Sequence, residues 1–204
     1  MSLLHALPLL LLFAEPEAAA PWNQAGKDDG ITVYNREKKG TGLQELKAVG
    51  TFDAPPEEVW KVVRDFESYT KVMPYVDISK LVEKDEAKNV LFVYTQLGLP
   101  FVDKRDYTIR VTDESEWKDG QGYLKSVWTI ANDKGPAPKK DVVRVGVNDG
   151  YWKLEPVDGG KKTLGTYYLF TDPGGALPKW MVNSANTGAV PDVFKAIRRA
   201  VNKK

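Results

Sequence analysis

Hydrophobic and polar residues alternate along most of the chain, a pattern that predicts β-strands with one buried face. The clearest case is segment 43–52, where Leu46, Ala48, Gly50 and Phe52 share one side. The other strand-like segments are 31–37, 75–83, 89–97, 104–112, 122–131, 142–155 and 163–171. Short turns rich in Gly, Pro and Asp separate them, so we predict a mostly antiparallel sheet of about eight strands.

Two short helices are predicted in the first half of the chain. Prolines and acids at 55–58 suit the first turn of a helix, and Val59, Val62 and Val63 follow at helical spacing. A second short helix is predicted at 68–72, because the residue before Pro74 disfavours helical backbone.

A long helix is predicted to close the chain from about Leu177, because no strand pattern follows the turn at 172–175. Pro191 is expected to kink or interrupt this helix. Its first half has a face of small and flexible residues, namely Met181, Ser184, Ala185 and Gly188. If the helix lies across a curved sheet, these residues leave volume that Leu or Phe would fill, so we expect a pocket beneath them.

The first 20 residues differ from the rest of the chain. An apolar run at 3–13, too short to span a bilayer, precedes a stretch rich in small residues that ends at Ala20. This order predicts a signal peptide at 1–20 and a mature domain at 21–204, in the periplasm or secreted. The absence of Lys or Arg before the run, and Pro21 after the expected cut, leave a buried or disordered N-terminal helix as the alternative.

Composition narrows the function further. A formal charge of +1 over 204 residues gives no electrostatic basis for nucleic-acid binding. The chain has no cysteine, which excludes thiolate catalysis and cysteine-ligated metals. Its single histidine, His5, lies in the predicted leader. No metal-ligand spacing, phosphate-binding glycine loop or nucleophile elbow is apparent, so we predict no metal, no cofactor and no enzymatic activity.

Several motifs, in this order and spacing, resemble a START domain, and specifically its bacterial members. They stand at residues 29–34, 53–60, 65–75, 104–107, 150–156 and 171–180, and the resemblance runs from Trp22 to Ala200. It implies an α+β helix-grip fold, in which a curved antiparallel sheet wraps around a long C-terminal helix. It also implies that one lipid, such as a sterol or a phospholipid, is bound in an internal tunnel and solubilised or carried between membranes.

The resemblance is incomplete at one position. Some sterol-binding relatives pair the arginine of an Arg-Asp motif, here Arg105-Asp106, with an acid on a neighbouring strand. The corresponding segment 92–97 contains no acid, and Gln96 is its nearest polar candidate. A sterol ligand is therefore not implied for this chain.

Arg105 is the sharpest candidate for ligand binding. Strand periodicity places it on one face with Tyr107 and Ile109, and Asp106 on the other. An arginine on an apolar face is costly unless it is paired or solvated. It either binds the polar end of a lipid, directly or through water, or forms a structural ion pair or reaches the sheet edge. For Asp106 we expect a structural role.

The remaining candidate residues are aromatic. Tyr94, Trp128 and Tyr168 lie on candidate inner faces, where they line a pocket or simply fill the core. Together with Gln96 and Tyr107 they are expected to meet the ligand. We expect a monomer that contacts membranes transiently. The rival functions are a polyketide cyclase or aromatase of the same superfamily, and a partner-binding domain with a filled interior.

Overall fold

The structure is a computed structural model that describes residues 19–100, 102–175 and 177–202. Most of the predicted signal peptide, residues 1–18, lies outside the described residues. The side chains of residues 179, 180 and 184–186 also lie outside them, although the backbone there is helical.

The described part of the chain forms eleven strands and three α-helices. The strands are β1 (Asn23–Asp28), β2 (Ile31–Lys38), β3 (Leu43–Phe52), β4 (Val76–Asp85), β5 (Val90–Leu97), β6 (Lys104–Asp113), β7 (Glu116–Lys118), β8 (Gln121–Ile130), β9 (Val142–Arg144), β10 (Val147–Val157) and β11 (Lys162–Asp172). The helices are α1 (Pro56–Arg64), α2 (Tyr69–Val72) and α3 (Lys179–Val201), with 3-10 turns at Phe66–Ser68 and Asn132–Lys134.

The strands form one open sheet in the order β1-β2-β3-β11-β10-β8-β6-β5-β4, with β7 beside β8 and β9 beside β6. Every pairing is antiparallel except that of β6 with β9. Helices α1 and α3 pack on the inner face of this sheet. The predicted helix-grip architecture is therefore confirmed, with a sheet that does not close.

The predicted elements differ from the structure in three places. The strand predicted at 142–155 is broken at Val145 and Gly146, and its first piece, β9, crosses to pair in parallel with β6. The short strands β1 and β7 were not predicted, because their residues are mostly polar and exposed. Pro191 does not interrupt α3, which runs unbroken through it.

One end of the space between sheet and helix is densely filled. Phe194 of α3 is fully buried and stacks on Phe52 at a ring separation of 5.4 Å, with Trp152 at 4.9 Å. Gly165 permits this packing, because an added Cβ there would lie 2.5 Å from the Phe52 ring. Arg198 fixes this end of α3 by donating to the backbone carbonyls of Asp29 and Thr51.

Candidate ligand cavity

A cavity of about 260 Å³ occupies the other end of this space. Its floor is the inner face of β5, β6, β8, β10 and β11, and its walls come from α1, α2 and α3. The lining residues are Val63, Phe66, Tyr69, Met73, Pro74, Tyr75, Val76, Thr95, Leu97, Leu99, Arg105, Tyr107, Ile109, Ser126, Trp128, Val145, Asn148, Trp152, Tyr167, Leu169, Thr171, Pro173, Ala189 and Val193. A largely apolar cavity with a few polar groups is typical of small-molecule sites.

The residues of α3 explain why this end is hollow. Ala189 and Val193 face the cavity, whereas Val190 and Phe194, one position later, are buried in the packed core. Small side chains on the cavity side cannot reach across to the sheet. The cavity therefore begins where the bulky residues of the helix point away from it and into the packed core.

Arg105 is the charged residue of the lining. Its side chain is 2% exposed, and Nη1 donates to the backbone carbonyl of Asp103. Its buried Nε has no hydrogen-bond partner among the described residues. A guanidinium offers five N–H donors, so Arg105 retains the capacity to bind an acceptor inside the cavity.

A second polar group lies further along the same strand. Tyr107 is two residues from Arg105 on β6, and side-chain hydrogen bonds link its hydroxyl to Thr95 and Asn148. The indole of Trp128 donates to Asn148 Oδ1 at 3.2 Å. Burial raises the pKa of Tyr107, against the lowering effect of these two hydrogen bonds, so its hydroxyl stays protonated at neutral pH.

Two further tyrosines of the lining are also held neutral. Burial raises the pKa of Tyr69 and of Tyr167, with the neighbouring tyrosine hydroxyls adding to the effect. Tyr69 donates its hydroxyl hydrogen to the carbonyl of Val63 at 2.6 Å. These groups make polar contacts within an otherwise apolar wall and do not exchange protons readily near neutral pH.

The cavity lining reaches the protein surface at the corner between α2 and β4, and we call this corner the mouth. Tyr75, whose side chain is 43% exposed, belongs to the lining, as do the half-buried Met73, Val76 and Leu99. Large apolar side chains therefore surround the mouth. One of these residues, Tyr75, has a backbone φ of 62°, a conformation that residues other than glycine seldom adopt.

The structure corrects the placement of Tyr94 and Gln96. Both lie on the outer face of β5, because side chains alternate and the adjacent Thr95 and Leu97 face the cavity. Lys139 donates to the Tyr94 hydroxyl at 3.4 Å and to Gln96 Oε1 at 3.2 Å. Neither residue touches the cavity.

Asp106 has the structural environment that its strand position predicts. It is fully buried on the outer face of β6, where Arg144 donates to its two carboxylate oxygens at 2.6 and 3.1 Å. The Tyr94 hydroxyl donates to it at 3.0 Å, and burial, followed by this hydrogen bond, raises the pKa of Tyr94 to about 12. The hydrogen bonds among Asp106, Arg144 and Tyr94 hold segment 132–145 against the outer face of the sheet.

Tyr168 also lies outside the cavity, and its neighbour Tyr167 takes the inner position. The Tyr168 hydroxyl donates to the buried Glu45 at 2.6 Å, and its ring stacks on Tyr151. Burial alone would raise the pKa of Glu45, but hydrogen bonds from Tyr168, Arg36 and Lys38 hold it below its ordinary value. The prediction chose the wrong member of the Tyr167-Tyr168 pair.

The predicted helical face of α3 is also corrected. Met181 is 37% exposed and Gly188 is exposed, with no atom within 4 Å of an added Cβ. Neither lines the cavity. The side chains of Ser184 and Ala185 lie outside the described part of the structure. The lining residues on α3 are instead Ala189 and Val193, which are four positions apart and so share one face of the helix.

Of the ten predicted site residues, the structure brings Arg105, Tyr107 and Trp128 together at the cavity. Sequence analysis missed Thr95, Asn148, Tyr167 and Ala189 as lining residues. Thr95 can be identified from strand alternation. In the pairing of β5 with β6, Leu97 lies opposite Arg105 and Thr95 lies opposite Tyr107, so both face the same side as Arg105. Asn148 lies four positions before Trp152 on β10, so alternation along that strand identifies it in the same way.

The described residues contain neither a candidate metal site nor a candidate membrane-spanning helix. No cluster of three or more His, Asp or Glu residues there could hold a metal ion. Within the same residues, no helix is both long enough and apolar enough to cross a bilayer.

Comparison with known proteins relates this cavity to a family. Residues 52–198 match the model of the family described as polyketide cyclase / dehydrase and lipid transport. Human phosphatidylcholine transfer protein is 28% identical over 187 residues, which cover 90% of this chain and 85% of that protein. An uncharacterized protein of Pseudomonas aeruginosa is 29% identical over 190 residues, which cover 91% of this chain and 89% of that one.

A solved structure agrees with the sequence matches. The STAR-related lipid transfer protein of Xanthomonas axonopodis superposes with a TM-score of 0.78 at 28% identity, covering 89% of this chain and 98% of that one. The chain therefore belongs to the START-like family of polyketide cyclases, dehydrases and lipid transport proteins, as its sequence motifs predict.

Proposed function

We propose that the protein binds one lipid in the cavity and carries it between membranes. The observation that carries the proposal is a largely apolar cavity containing a single buried cation, Arg105, whose Nε lacks a partner among the described residues. The relatives reported above are named for phosphatidylcholine transfer and for lipid transfer, which supports the same function.

Burial of a hydrocarbon chain supplies the driving force for binding. Each methylene group transferred from water contributes ~0.8 kcal/mol, so ten contribute ~8 kcal/mol. This is comparable with the ~4–15 kcal/mol that association costs in lost freedom. The apolar walls, including Ile109, Leu169 and Trp152, would contact the chain, and Arg105 would meet the polar end.

A second candidate is a cyclase-like enzyme, since the family model includes polyketide cyclases and dehydrases. Such a reaction needs a group that takes up and releases a proton near neutral pH. The cavity tyrosines Tyr69, Tyr107 and Tyr167 have raised pKa values, and no carboxylate or histidine lines the cavity among the described residues. The described lining therefore offers no group that exchanges protons readily near neutral pH, which favours ligand binding over catalysis.

Exchange with a membrane would take place at the mouth. Tyr75 and Leu99 would contact the lipid surface, because their apolar side chains are exposed or half-buried and continuous with the cavity. An aromatic ring with a hydroxyl suits the interface between lipid and water. We propose that the protein acts as a monomer whose membrane contact lasts only for the exchange.

A transfer assay tests this function. Donor liposomes containing a pyrene-labelled phospholipid or pyrene-labelled fatty acid are mixed with unlabelled acceptor liposomes, and excimer fluorescence is followed. We expect the transfer rate to rise in proportion to protein concentration. The variant Ala189→Trp, which fills the cavity, should abolish this increase, whereas Gly188→Ala, on the exposed side of the same helix, should preserve it. No acceleration by the unmodified protein with either lipid would contradict the proposal.

We further propose that residues 1–20 direct export and that the mature chain acts in the periplasm or outside the cell. The support is the apolar run followed by small residues in that segment. N-terminal sequencing of the protein from the cell that makes it tests this directly. A chain that still begins at Met1 would contradict export with cleavage.

A further inference from the structure

The charge carried by the described residues of the cavity lining is positive only. Arg105 is the ionised side chain among the described lining residues, and none of those residues is Asp or Glu. The nearby Asp106 points to the opposite face of β6, where Arg144 pairs with it. The carboxylate of Asp77, close to Gly98 at the mouth, pairs with Lys104 at 2.6 Å. Among the residues that the structure describes, no acid is therefore available to compensate Arg105 inside the cavity.

The bonds of Arg105 itself leave its positive charge unneutralised. Nη1 donates to a backbone carbonyl, that of Asp103, and this neutral acceptor does not cancel a charge. Nε is buried without a partner among the described residues. An arginine fork in this state is suited to an acceptor that carries negative charge, such as a carboxylate or a phosphate.

The neighbouring polar groups already have partners of their own. Tyr107 is bonded to Thr95 and Asn148, and Asn148 accepts from Trp128. These groups can adapt to a ligand, but they offer no charge. The charged end of a ligand therefore belongs at Arg105, about 7 Å along the strand from Tyr107, which is the spacing of two residues.

The strand register also orients the ligand. Arg105 pairs with Leu97, which adjoins the mouth at Leu99, whereas Ile109 pairs with Val93, farther along the same two strands. A chain that enters tail first would extend toward Ile109 and Trp152, with its polar end near the opening. The volume of about 260 Å³ lies just below the ~300–1,000 Å³ typical of small-molecule pockets, which favours one chain over two.

We propose that the preferred ligand is a single-chain amphiphile with an anionic oxygen group, a carboxylate or a phosphate, held by Arg105. This inference rests on the proposed lipid-binding function and narrows it. The phosphate of a phosphocholine lipid could also meet Arg105, but its choline cation lies next to that phosphate and would bring a second positive charge close to the guanidinium. A phosphocholine lipid is therefore disfavoured relative to a net-anionic lipid of equal chain length.

Matched pairs of lipids test the inference. Oleate is compared with oleyl alcohol, which has the same chain without the charge, and lysophosphatidic acid with lysophosphatidylcholine. Each is delivered from cyclodextrin, and binding is followed by intrinsic tryptophan fluorescence, since Trp128 and Trp152 line the cavity. We expect oleate to bind at least about tenfold more tightly than oleyl alcohol, because only oleate offers a charged acceptor for a hydrogen bond. Lysophosphatidic acid should bind more tightly than lysophosphatidylcholine, because it lacks the choline cation.

Variants assign this preference to one side chain. Arg105→Gln should reduce the anion preference to within about twofold, and Arg105→Lys should retain part of it. Arg110→Gln is the control, because Arg110 is on the same strand but exposed on the outer face, and it should keep the full preference. If Arg105→Gln does not fold, the matched pairs on the unmodified protein still decide the question.

The outcomes separate this inference from the broader function. Equal binding of oleate and oleyl alcohol would overturn the anionic class while leaving lipid binding intact. Tighter binding of a two-chain phosphatidylcholine than of lysophosphatidic acid would also overturn it. An unchanged anion preference in folded Arg105→Gln would overturn the assignment of that preference to Arg105. Inorganic phosphate alone should not bind; saturable binding of phosphate would show a free-anion site instead. Failure of every lipid to bind would contradict the proposed function itself.

Discussion

The space between α3 and the sheet is filled by side chains at one end and hollow at the other. At one end Phe194, Phe52 and Trp152 meet in mutual ring contact, and Arg198 fastens the helix to the sheet. At the other end Ala189 faces a cavity that contains the buried Arg105. Stability and binding therefore depend on different residues of one helix, Phe194 and Ala189, which lie about 7.5 Å apart along its axis.

The contrast shows how a small domain can keep a cavity without losing its fold. Apolar burial at the filled end offsets the contacts that the hollow end does not make. At the hollow end, polar ties on the outer face of β6, chiefly between Asp106 and Arg144, hold the strands in place. Substitutions at each end should therefore have distinct consequences.

The largest expected effect is at the filled end. Phe194→Ala should lower the free energy of unfolding by about 3–5 kcal/mol, because it removes a fully buried ring and leaves a cavity. Val193→Ala, one residue earlier and facing the ligand cavity, should cost no more than about 1–2 kcal/mol. Urea unfolding of both variants measures the difference. Equal costs would show that the two ends are not packed differently.

The next effect concerns the outer ties of the hollow end. Asp106→Asn should destabilise the protein by about 3 kcal/mol, because it leaves Arg144 without its buried partner. Tyr94→Phe removes one hydrogen bond from the same group and should cost about 1 kcal/mol. Thermal unfolding in the absence of lipid distinguishes them. A cost for Asp106→Asn below that of Tyr94→Phe would argue against this structural role.

A third prediction tests the hollow end through binding. Ala189→Trp should weaken the binding of oleate by at least about tenfold, because the indole would occupy the space of the ligand. Its free energy of unfolding should change little, since the new side chain fills a void. Fluorescence titration and urea unfolding measure the two quantities. Unimpaired binding in a folded variant would place the ligand elsewhere.

The smallest effect is expected on the exposed side of α3. Gly188→Ala should raise the free energy of unfolding by about 0.5–1 kcal/mol, because alanine favours the helix and meets no neighbour. Oleate affinity should stay the same. An altered affinity for oleate in this variant would show that Gly188 contacts the ligand or acts as a hinge in α3.

Most of the fold was predictable from the sequence, because strand alternation and turn residues are local signals. The face of Arg105 followed from the same alternation and is confirmed by its place in the lining. The wrong assignments concern residues whose face is decided by contacts between distant parts of the chain. Tyr168 and Tyr167 are adjacent, and only the register of β11 against β3 assigns one of them to the inside.

The helix was harder to assign for a related reason. Periodicity groups Met181 with Gly188, but it does not say which face meets the sheet. The direction in which α3 crosses the sheet determines that Ala189 and Val193 point into the cavity. That direction depends on the packing of Phe194 against Phe52, which no local pattern encodes.

Native mass spectrometry of the protein purified from its own cells tests the central claim most directly. We predict a mass above that of the polypeptide alone by one lipid molecule, and loss of this excess in Ala189→Trp. The bare chain mass, unchanged after incubation of the unmodified protein with liposomes of mixed anionic and neutral lipids, would contradict the account.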